Sequence, residues 1–292
     1  MPVASTLDLV TAGRDAGYAV PAVNVVDELS IRAIIAAAED TNSPVILQTS
    51  VKTVRSIGAA LLQTMVRASA EPARVPVSLH LDHCPDRGVI SETIAAGWSS
   101  VLFDASDREL SKAWQETAEV VEEAHAAGAA VECEVENITG VEDGVGSAHA
   151  VEPYAVDTLA TFARDTGSDM LAPALGTAHG LYKDAPVLRP DRVRELRRLT
   201  DMPIVLHGGT GLSEEDFRTF IDAGVSKINI STALKRAYMQ ASLDHLLEAQ
   251  RTDKWEPLRM FDQVFTAVRD EIADHARMFG SAGQATTHST SG

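Results

Sequence analysis

Eight short apolar runs, separated by helical segments, constrain the fold of this chain most strongly. The segments between the runs carry apolar residues at three- and four-residue spacings, the periodicity of amphipathic helices. Strands that alternate with helices predict a parallel sheet of repeated βα units. Eight units in 292 residues are the number that closes a (β/α)8 TIM barrel, which takes about 250 residues. The runs are Tyr18–Val26, Ser43–Ser50, Pro76–His83, Ser99–Ser106, Ala129–Glu136, Met170–Gly176, Pro203–Gly209 and Lys227–Thr232.

Helical segments complete this α/β prediction. An N-terminal helix at Ser5–Ala16 and a C-terminal helix at Pro257–Met278 are expected as additions to a single barrel domain, residues 1–280. The tail at 281–292, rich in Gly, Ser, Thr and Ala, is predicted to be disordered. An open doubly wound sheet is the alternative, but it rarely needs eight successive units, and no G-x-G-x-x-G follows the first run. The helices between strands include Ser30–Asp40, Val54–Ala70, Arg108–Ala127, Asp191–Thr200 and Glu214–Ala223.

Charge and composition narrow the class of partner. The chain has 42 acidic and 25 basic residues, a formal charge of −17, which argues against nucleic acid and anionic membranes as partners. It is 45% hydrophobic, and no apolar run approaches the 18 or so residues that span a bilayer. The N-terminus lacks a signal-peptide layout, and Cys84 and Cys133 are too few for a disulfide scaffold, so a cytoplasmic protein is expected.

Polar residues gather at the C-terminal ends of the predicted strands, where barrel enzymes place their chemistry. His83, His179 and His207 come from three different strand ends or the loops after them. Three neutral imidazoles with an open position suit a catalytic Zn²⁺ or another borderline divalent ion. Asp82 precedes His83, so both side chains reach the barrel mouth only if the strand end curls; beside a dication, this carboxylate is a natural acid/base group.

Two further segments point to substrate handling. Gly208–Gly211 forms a glycine-rich turn before a helix, and Asn229–Thr232 opens the next one. Loops after strands seven and eight of a barrel commonly bind phosphate through backbone N–H groups, so an anion site is expected here. The connection Asn137–Glu152 has no periodicity, and its composition is equally consistent with a mobile lid that delivers Glu142 or Asp143 to a substrate and with an ordinary solvated acidic loop.

At this point the chain resembles a known family, the class II, metal-dependent ketose-bisphosphate aldolases, which include fructose- and tagatose-bisphosphate aldolases. The resemblance covers the chain up to the tail, and AVPAVNV around Asn24 and LQTS ending at Ser50 also fit it. The ordered motifs that carry it are LHLDHC at Leu79–Cys84, VLFDAS at Val101–Ser106, GTAHGLYK at Gly176–Lys183, VLHGGTG at Val205–Gly211 and KINIST at Lys227–Thr232.

The resemblance implies an activity and a role for each matching position. The reaction is cleavage of a ketose 1-phosphate or 1,6-bisphosphate-like sugar to dihydroxyacetone phosphate and an aldehyde, with catalytic Zn²⁺ on His83, His179 and His207. Asp82 would move the proton of the C4 hydroxyl, and Glu142 the proton on the carbon next to the ketone. Asp104 and Glu134 resemble a second metal site, and a monovalent cation, Na⁺ or K⁺, often lies near the phosphate. The positions that resemble substrate and phosphate ligands are Asn24, Ser50, Gly180, Lys183, Gly208, Thr210, Asn229, Ser231 and Thr232.

Two departures from the family pattern concern the lid and the distal end of the substrate. The usual lid, E-L-G-x-x-G-G-x-E-D, here carries Glu136 and Thr139 in place of glycines. Many relatives have a C-terminal arginine, given to a neighbouring subunit, that binds the distal phosphate. An ungapped alignment places Asp262 there, with Arg259 three residues upstream as the candidate ligand. The aldehyde half is therefore expected to end in something other than an ordinary phosphate: a different anionic group, such as a sulfonate or a carboxylate, or an uncharged end.

Two other functions stay open on the sequence alone. A class I aldolase would use a lysine Schiff base, and Lys227 is the one lysine on a predicted strand. A non-catalytic sugar-phosphate-binding or partner-stabilising subunit would keep the scaffold but lose an acid/base residue, whereas Asp82, Glu142 and the three histidines are all present. The resemblance favours a homo-oligomer, a dimer or a tetramer.

Overall fold

A computed structural model describes residues 3–138, 140–142, 145–147, 152–180 and 186–285. For residues 141–142 and 145–147 the backbone alone is described.

Eight parallel strands close into a barrel in which each strand pairs with the next barrel strand along the chain and the last pairs with the first. This confirms the predicted TIM barrel. The barrel strands are β1 (Val20–Asn24), β2 (Val45–Ser50), β3 (Val77–Cys84), β4 (Ser100–Asp104), β5 (Ala130–Glu134), β8 (Met170–Leu171), β9 (Ile204–Leu206) and β10 (Val225–Ile230). An antiparallel pair, β6 (Gly140–Glu142) and β7 (Val145–Ser147), lies in the connection after β5, where the sequence predicts an irregular lid.

Helices surround the barrel, and one of them differs from the prediction. The predicted helix Val54–Ala70 is two helices, because Gly58 has φ 94°, a conformation that favours glycine and breaks the helical path. The helices are α1 (Thr6–Ala16), α2 (Glu28–Thr41), α3 (Val51–Ile57), α4 (Ala59–Ala70), α5 (Arg87–Ala95), α6 (Leu110–Ala126), α7 (Val156–Thr166), α8 (Pro190–Leu199), α9 (Glu214–Ala223), α10 (Thr232–Thr252) and α11 (Pro257–Met278).

The barrel interior changes from apolar to polar along its axis. Alternate residues of a strand point inward, and the lower inward positions hold Val20, Ala22 and Ile46 in an apolar cluster. Helix α1 closes this end, with Leu9 and Val10 packed into the same cluster. On seven of the eight barrel strands, all but β8, the inward side chains nearer the C-terminal end are polar and buried, which places the site at the C-terminal mouth. These polar residues are Asn24, Gln48, His80, Asp82, Asp104, Glu132, Glu134, His207, Lys227 and Asn229.

The C-terminal helices pack on the outside of the barrel, α11 against both α10 and α2. The packed chain continues beyond the predicted start of the tail. Ser281 is buried and hydrogen-bonded to Ser43 at 2.8 Å, and the Ala285 N–H donates to the Asn42 carbonyl at 2.9 Å. The remainder of that tail, 286–292, lies outside the described residues. In the part of the chain that is described, no helix has the length and apolar character needed to cross a bilayer.

Candidate active site

Three histidines from separate strand ends meet at the barrel mouth. One imidazole nitrogen from each of His83, His179 and His207 lies within 4.8 Å of the other two, and the three residues are buried. His83 is central, with ring centroids 4.7 Å from His179 and 4.5 Å from His207. His207 Nδ1 and His83 Nε2 face each other at 2.7 Å. Three converging, buried imidazoles are a donor set that fits Zn²⁺ or a similar divalent ion.

A backbone irregularity at the end of β3 brings Asp82 and His83 to the same mouth. His83 has φ 40°, unusual for a residue other than glycine, and the register between β3 and β4 shifts between Leu81 and Cys84. The His83 Nε2 atom is 3.9 Å from Asp82 Oδ1 as a result. The end of β3 therefore curls. This is the curl that the sequence requires for Asp82 and His83 to reach the same site.

Two buried asparagines hold the Asp82 carboxylate. Asn24 Nδ2 donates to Oδ2 at 2.9 Å, and Asn229 Nδ2 donates to Oδ1 at 3.0 Å. Gln48 Nε2 donates in turn to Asn24 Oδ1 at 2.7 Å, which fixes the orientation of the Asn24 amide. Each carboxylate oxygen thus has a directed donor, and the side chain is immobilised beside the three histidines.

A buried ion pair supports the histidine cluster from below. Lys227 Nζ donates to Glu132 Oε2 and to Asn229 Oδ1, both at 2.8 Å. The other Glu132 oxygen, Oε1, lies 2.8 Å from His207 Nε2 and accepts a hydrogen bond from its N–H. The His207 tautomer is then Nε2–H, and its Nδ1 lone pair faces the cluster. The Lys227 ammonium group is hydrogen-bonded to both Glu132 and Asn229, which argues against its use as a Schiff-base nucleophile.

Two carboxylates border His83 on its other side. His83 Nδ1 is 3.3 Å from Glu134 Oε2 and 3.8 Å from Asp104 Oδ2. Ser106 fixes Asp104 by donating from Oγ to Oδ1 at 2.6 Å. His83, Asp104 and Glu134 form a second buried group whose ligand atoms lie within 4.8 Å of one another. The two possible metal groups share His83.

Burial and neighbouring charges set the protonation of the cluster. Burial, together with the His83 charge, lowers the pKa of His179 to about 3. The same two causes, with Lys227, lower the pKa of His207 well below its ordinary value. Burial also acts to lower the pKa of His83, but Glu134, Asp82 and Asp104 outweigh it and raise this pKa well above the usual range. Two of the three imidazoles are therefore neutral at pH 7, as metal ligands must be.

The pKa values of two carboxylates in the site are likewise shifted in opposite directions. Burial acts to raise the pKa of Asp82, but His83, His207 and Lys227 outweigh it and lower the pKa, so Asp82 is ionised at neutral pH. Burial and the neighbouring Asp104 instead raise the pKa of Glu134 well above its ordinary value. Carboxylates with opposite shifts in one pocket are typical of catalytic sites.

The predicted anion-binding segments border the cluster. Gly208 has φ 70°, and a Cβ there would lie 2.5 Å from the Ala178 carbonyl oxygen, so the turn after β9 packs directly on the loop that carries His179. Thr210 follows in this turn, and Ser231 and Thr232 begin α10. Among the described residues, the buried Ser231 hydroxyl has no hydrogen-bond partner.

The other predicted site residues differ in how the structure places them. Ser50 is buried and caps α3, its Oγ accepting from the Thr53 N–H at 3.4 Å. Gly180 directly follows His179 and has φ 86°. Lys183 and the side chain of Glu142 lie outside the described residues. Arg259 is not in the cluster: it is exposed on the first turn of α11 and lines a cavity of about 170 Å³ with His245 and Lys254.

Glu132 and Gln48 are hydrogen-bonded to predicted site residues, His207 and Asn24, and the sequence predictions omit both. Glu132 lies two residues before Glu134 on β5, and Gln48 lies two residues before Ser50 on β2. Alternation along a strand places such pairs on the same face, so a charged residue two positions before a predicted site residue is the signal that identifies Glu132.

Comparisons with known proteins agree with this geometry. The sequence profile described as "Fructose-bisphosphate aldolase class-II" matches residues 4–284. The "Probable fructose-bisphosphate aldolase" of Bacillus subtilis is 35% identical over 290 residues, which cover 98% of this chain and 100% of that protein.

Solved structures show the same fold. The YdjI aldolase of Escherichia coli K12 superposes with a TM-score of 0.84 at 29% identity, covering 97% of this chain and 100% of that one. The fructose-bisphosphate aldolase of Campylobacter jejuni, at 23% identity, shares the fold with a TM-score of 0.83 over 96% of both chains. With a profile match over nearly its whole length and a metal-ligand cluster at the barrel mouth, the chain belongs to the class II fructose-bisphosphate aldolase family and is a metal-dependent lyase.

Proposed function

We propose that this enzyme cleaves a ketose 1-phosphate or 1,6-bisphosphate-like sugar to dihydroxyacetone phosphate and an aldehyde, and catalyses the reverse condensation, with Zn²⁺ as its metal. The observation that carries the proposal is the Asp82 carboxylate, fixed by Asn24 and Asn229 beside three converging imidazoles. His83, His179 and His207 would hold the ion. A divalent cation there supplies Lewis acidity at the ketone oxygen, stabilising the negative charge that the breaking carbon–carbon bond leaves on the ketone half.

The side chains of the site divide the proton transfers. Asp82, with its lowered pKa, accepts the proton of the C4 hydroxyl as the C3–C4 bond breaks and the aldehyde forms. Glu142 then gives a proton to C3, which completes dihydroxyacetone phosphate. Solvent returns a proton to Glu142 and removes one from Asp82. In the condensation direction each transfer runs in reverse.

Substrate binding follows from the loops around the mouth. Backbone N–H groups near Gly180, Gly208 and Thr210, with the first turn of α10 at Ser231 and Thr232, would bind the ketone-side phosphate. Asn24, Ser50, Lys183 and Asn229 complete the proposed substrate contacts. A monovalent cation, Na⁺ or K⁺, would lie beside the phosphate, and Asp104 with Glu134 would offer a second metal position next to His83.

The distal end of the substrate is proposed to differ from an ordinary sugar bisphosphate. Asp262 stands at the aligned position of the arginine that many relatives use, and Arg259 lies on the outer helices rather than at the mouth. An aldehyde half with another anionic group, such as a sulfonate, fits this change, with Arg259 of a neighbouring copy as its candidate ligand.

A panel of substrates tests the proposal. Purified enzyme is assayed for release of dihydroxyacetone phosphate from fructose and tagatose bisphosphates and from 6-substituted ketose 1-phosphates, including a 6-sulfonate, with and without EDTA. We expect cleavage that EDTA abolishes, and the best substrate identifies the distal group. The alternative, a non-catalytic sugar-phosphate-binding subunit, predicts no cleavage of any of these compounds by the zinc-loaded protein.

We also propose that the enzyme acts in the cytoplasm as a homodimer or homotetramer. Apolar side chains at i, i+4, i+7 and i+8 of α10 are exposed on one face, and three more follow, one in the turn before α11 and two in its first turns. These residues are Met239, Leu243, Leu246, Leu247, Trp255, Leu258 and Phe261. Light scattering on the wild type and on Leu243→Glu/Leu247→Glu tests the assembly; a monomeric wild type contradicts it.

A further inference from the structure

The carboxylate of Glu136 joins three segments of the chain just outside the metal cluster. It follows β5 and is 4% exposed. Its Oε1 accepts from the Tyr154 N–H at 2.7 Å, and its Oε2 accepts from the Ala174 N–H at 2.7 Å. Tyr154 lies where the chain returns toward α7, and Ala174 lies in the extended segment after β8. The buried Glu136 side chain therefore binds the backbone at Tyr154 and at Ala174, two segments that are apart from each other in sequence.

Arg192 of α8 completes this junction. Its Nη2 donates to both Glu136 oxygens, at 2.8 and 3.0 Å, and its Nη1 donates to the Tyr154 carbonyl at 3.0 Å. The guanidinium thus holds the carboxylate and also the backbone that the carboxylate holds. A charged pair with this many directed donors is fixed in geometry, because each partner limits the other's rotamers.

Gly140, in the segment between these anchors, contacts the backbone of His179. Residues 137–153 leave the anchor at Glu136 and return to it at Tyr154. Only four positions after Glu136, Gly140 has φ 108°, and a Cβ there would lie 2.7 Å from the His179 carbonyl oxygen and 2.9 Å from its nitrogen. The start of β6 is therefore pressed against the backbone of His179, with no room for a side chain, and Glu142 follows two residues later.

We infer that Glu136 is a positioning residue: with Arg192 it fixes both ends of segment 137–153, and so sets where Glu142 meets the substrate beside His179. The inference rests on the proposed role of Glu142. Glu136 itself, turned to Arg192 and two backbone amides, needs no contact with the substrate. A misplacement of about 1 Å in a proton-transfer group can cost roughly 100-fold in rate. The pair of Glu136 and Arg192 therefore affects the turnover rate, although neither residue transfers a proton.

Two variants of the pair and two controls test the inference. Glu136→Gln removes the ion pair and turns an N–H₂ group toward a backbone donor, and Arg192→Lys keeps the charge but loses the forked contact. Glu119→Gln is the matched control, because it weakens another glutamate–arginine pair, Arg87 to Glu119 at 3.0 Å, on helices remote from the segment. Glu142→Gln tests the proposed function separately.

Two readouts on the metal-loaded enzymes are compared. The first is deuterium uptake by the backbone amides of 137–153. The second is exchange of a carbon-bound proton of dihydroxyacetone phosphate with D₂O, which needs Glu142 but no aldehyde. We expect faster uptake and roughly 10–100-fold slower exchange in Glu136→Gln, intermediate values in Arg192→Lys, and wild-type values in Glu119→Gln, all with unchanged metal content.

The outcomes separate this inference from the proposed function. Wild-type deuterium uptake in both Glu136→Gln and Arg192→Lys overturns the anchor. If Glu142→Gln abolishes proton exchange while Glu136→Gln leaves it unchanged, the positioning role is wrong and the proposed function stands. If Glu142→Gln exchanges at the wild-type rate, the proposed function and the positioning role both fail.

Discussion

The Nε2 atom of His207 lies 2.8 Å from Oε1 of Glu132, deep in the barrel, and this contact sets which nitrogen of His207 faces the cluster. We expect Glu132→Gln to lower zinc affinity by about 10–100-fold, because the imidazole loses the carboxylate that orients it. Competition with a chelator of known affinity measures the change. Unchanged affinity would show that the tautomer is held in another way.

The same carboxylate forms a buried pair with Lys227, and we expect this pair to show strong coupling. Lys227→Met leaves the Glu132 charge buried without its counter-ion and should cost about 3–5 kcal/mol in the free energy of unfolding. Glu132→Gln/Lys227→Met removes both charges and should recover a large part of that loss. Urea denaturation of the four proteins gives the coupling; simple additivity of the two single effects would contradict the ion-pair account.

Asp82 provides the clearest separation of chemistry from metal binding. Asp82→Asn keeps the size of the side chain but cannot accept the C4 hydroxyl proton, so kcat should fall by about 10²–10⁴. Zinc content should stay at the wild-type level, because the three imidazoles remain. Steady-state cleavage together with metal analysis of the same preparation checks both statements, and a variant with full kcat would remove Asp82 from the mechanism.

The contribution of Asp86 to the stability of the fold is predicted to depend on pH. It caps α5, with Oδ1 accepting from the Gly88 N–H at 2.9 Å and Oδ2 paired with Arg55 at 2.6 Å. Burial acts to raise the pKa of Asp86, but the backbone donors and Arg55 outweigh it and lower the pKa. A lowered folded-state pKa gives stability that is present above the unfolded value of about 3.9 and is lost as the pH falls through the folded value.

We therefore expect Asp86→Ala to lose about 1 kcal/mol at pH 7 and less as the pH drops below about 4. Ser5→Ala is the control, because Ser5 is a neutral cap of α1 that accepts from the Asp8 N–H at 3.2 Å. Its cost should change little with pH. Urea denaturation at pH 7 and pH 3.5 measures both differences, and a pH-independent cost for Asp86→Ala would contradict the assigned pKa shift.

The strand pattern predicts the barrel well because each apolar run is a local signal. Strand and helix periods can be read within about ten residues, and the polar ends then identify His83, His207 and Asp82. His179 also follows from this rule, since it lies in the loop after β8. The break between α3 and α4 at Gly58 is harder to predict, because a single glycine inside an apolar periodic stretch can either be tolerated within one helix or end it.

The hydrogen bonds that hold the site residues in place join segments that are distant in sequence, so they could not be predicted from local patterns. Glu136 and Arg192 are 56 residues apart, and the sequence identifies Glu136 only as a replacement for a glycine of the lid pattern, with no sign of its pairing with Arg192. Likewise, Asn24 was predicted to bind substrate, whereas in the structure its amide also fixes Asp82, 58 residues away. The hairpin of β6 and β7 arises in a segment without apolar periodicity, so the period rules give no strand signal there.

The central claim is that a metal held by His83, His179 and His207 enables aldol cleavage, and a zinc titration tests it most directly. Chelated, metal-free enzyme receives increasing zinc, and the initial rate of dihydroxyacetone phosphate release is measured at each step. We predict no cleavage without metal, a rise that saturates near one zinc per chain, and no rise in His179→Ala over the same range. Full cleavage by the chelated wild type would contradict the claim.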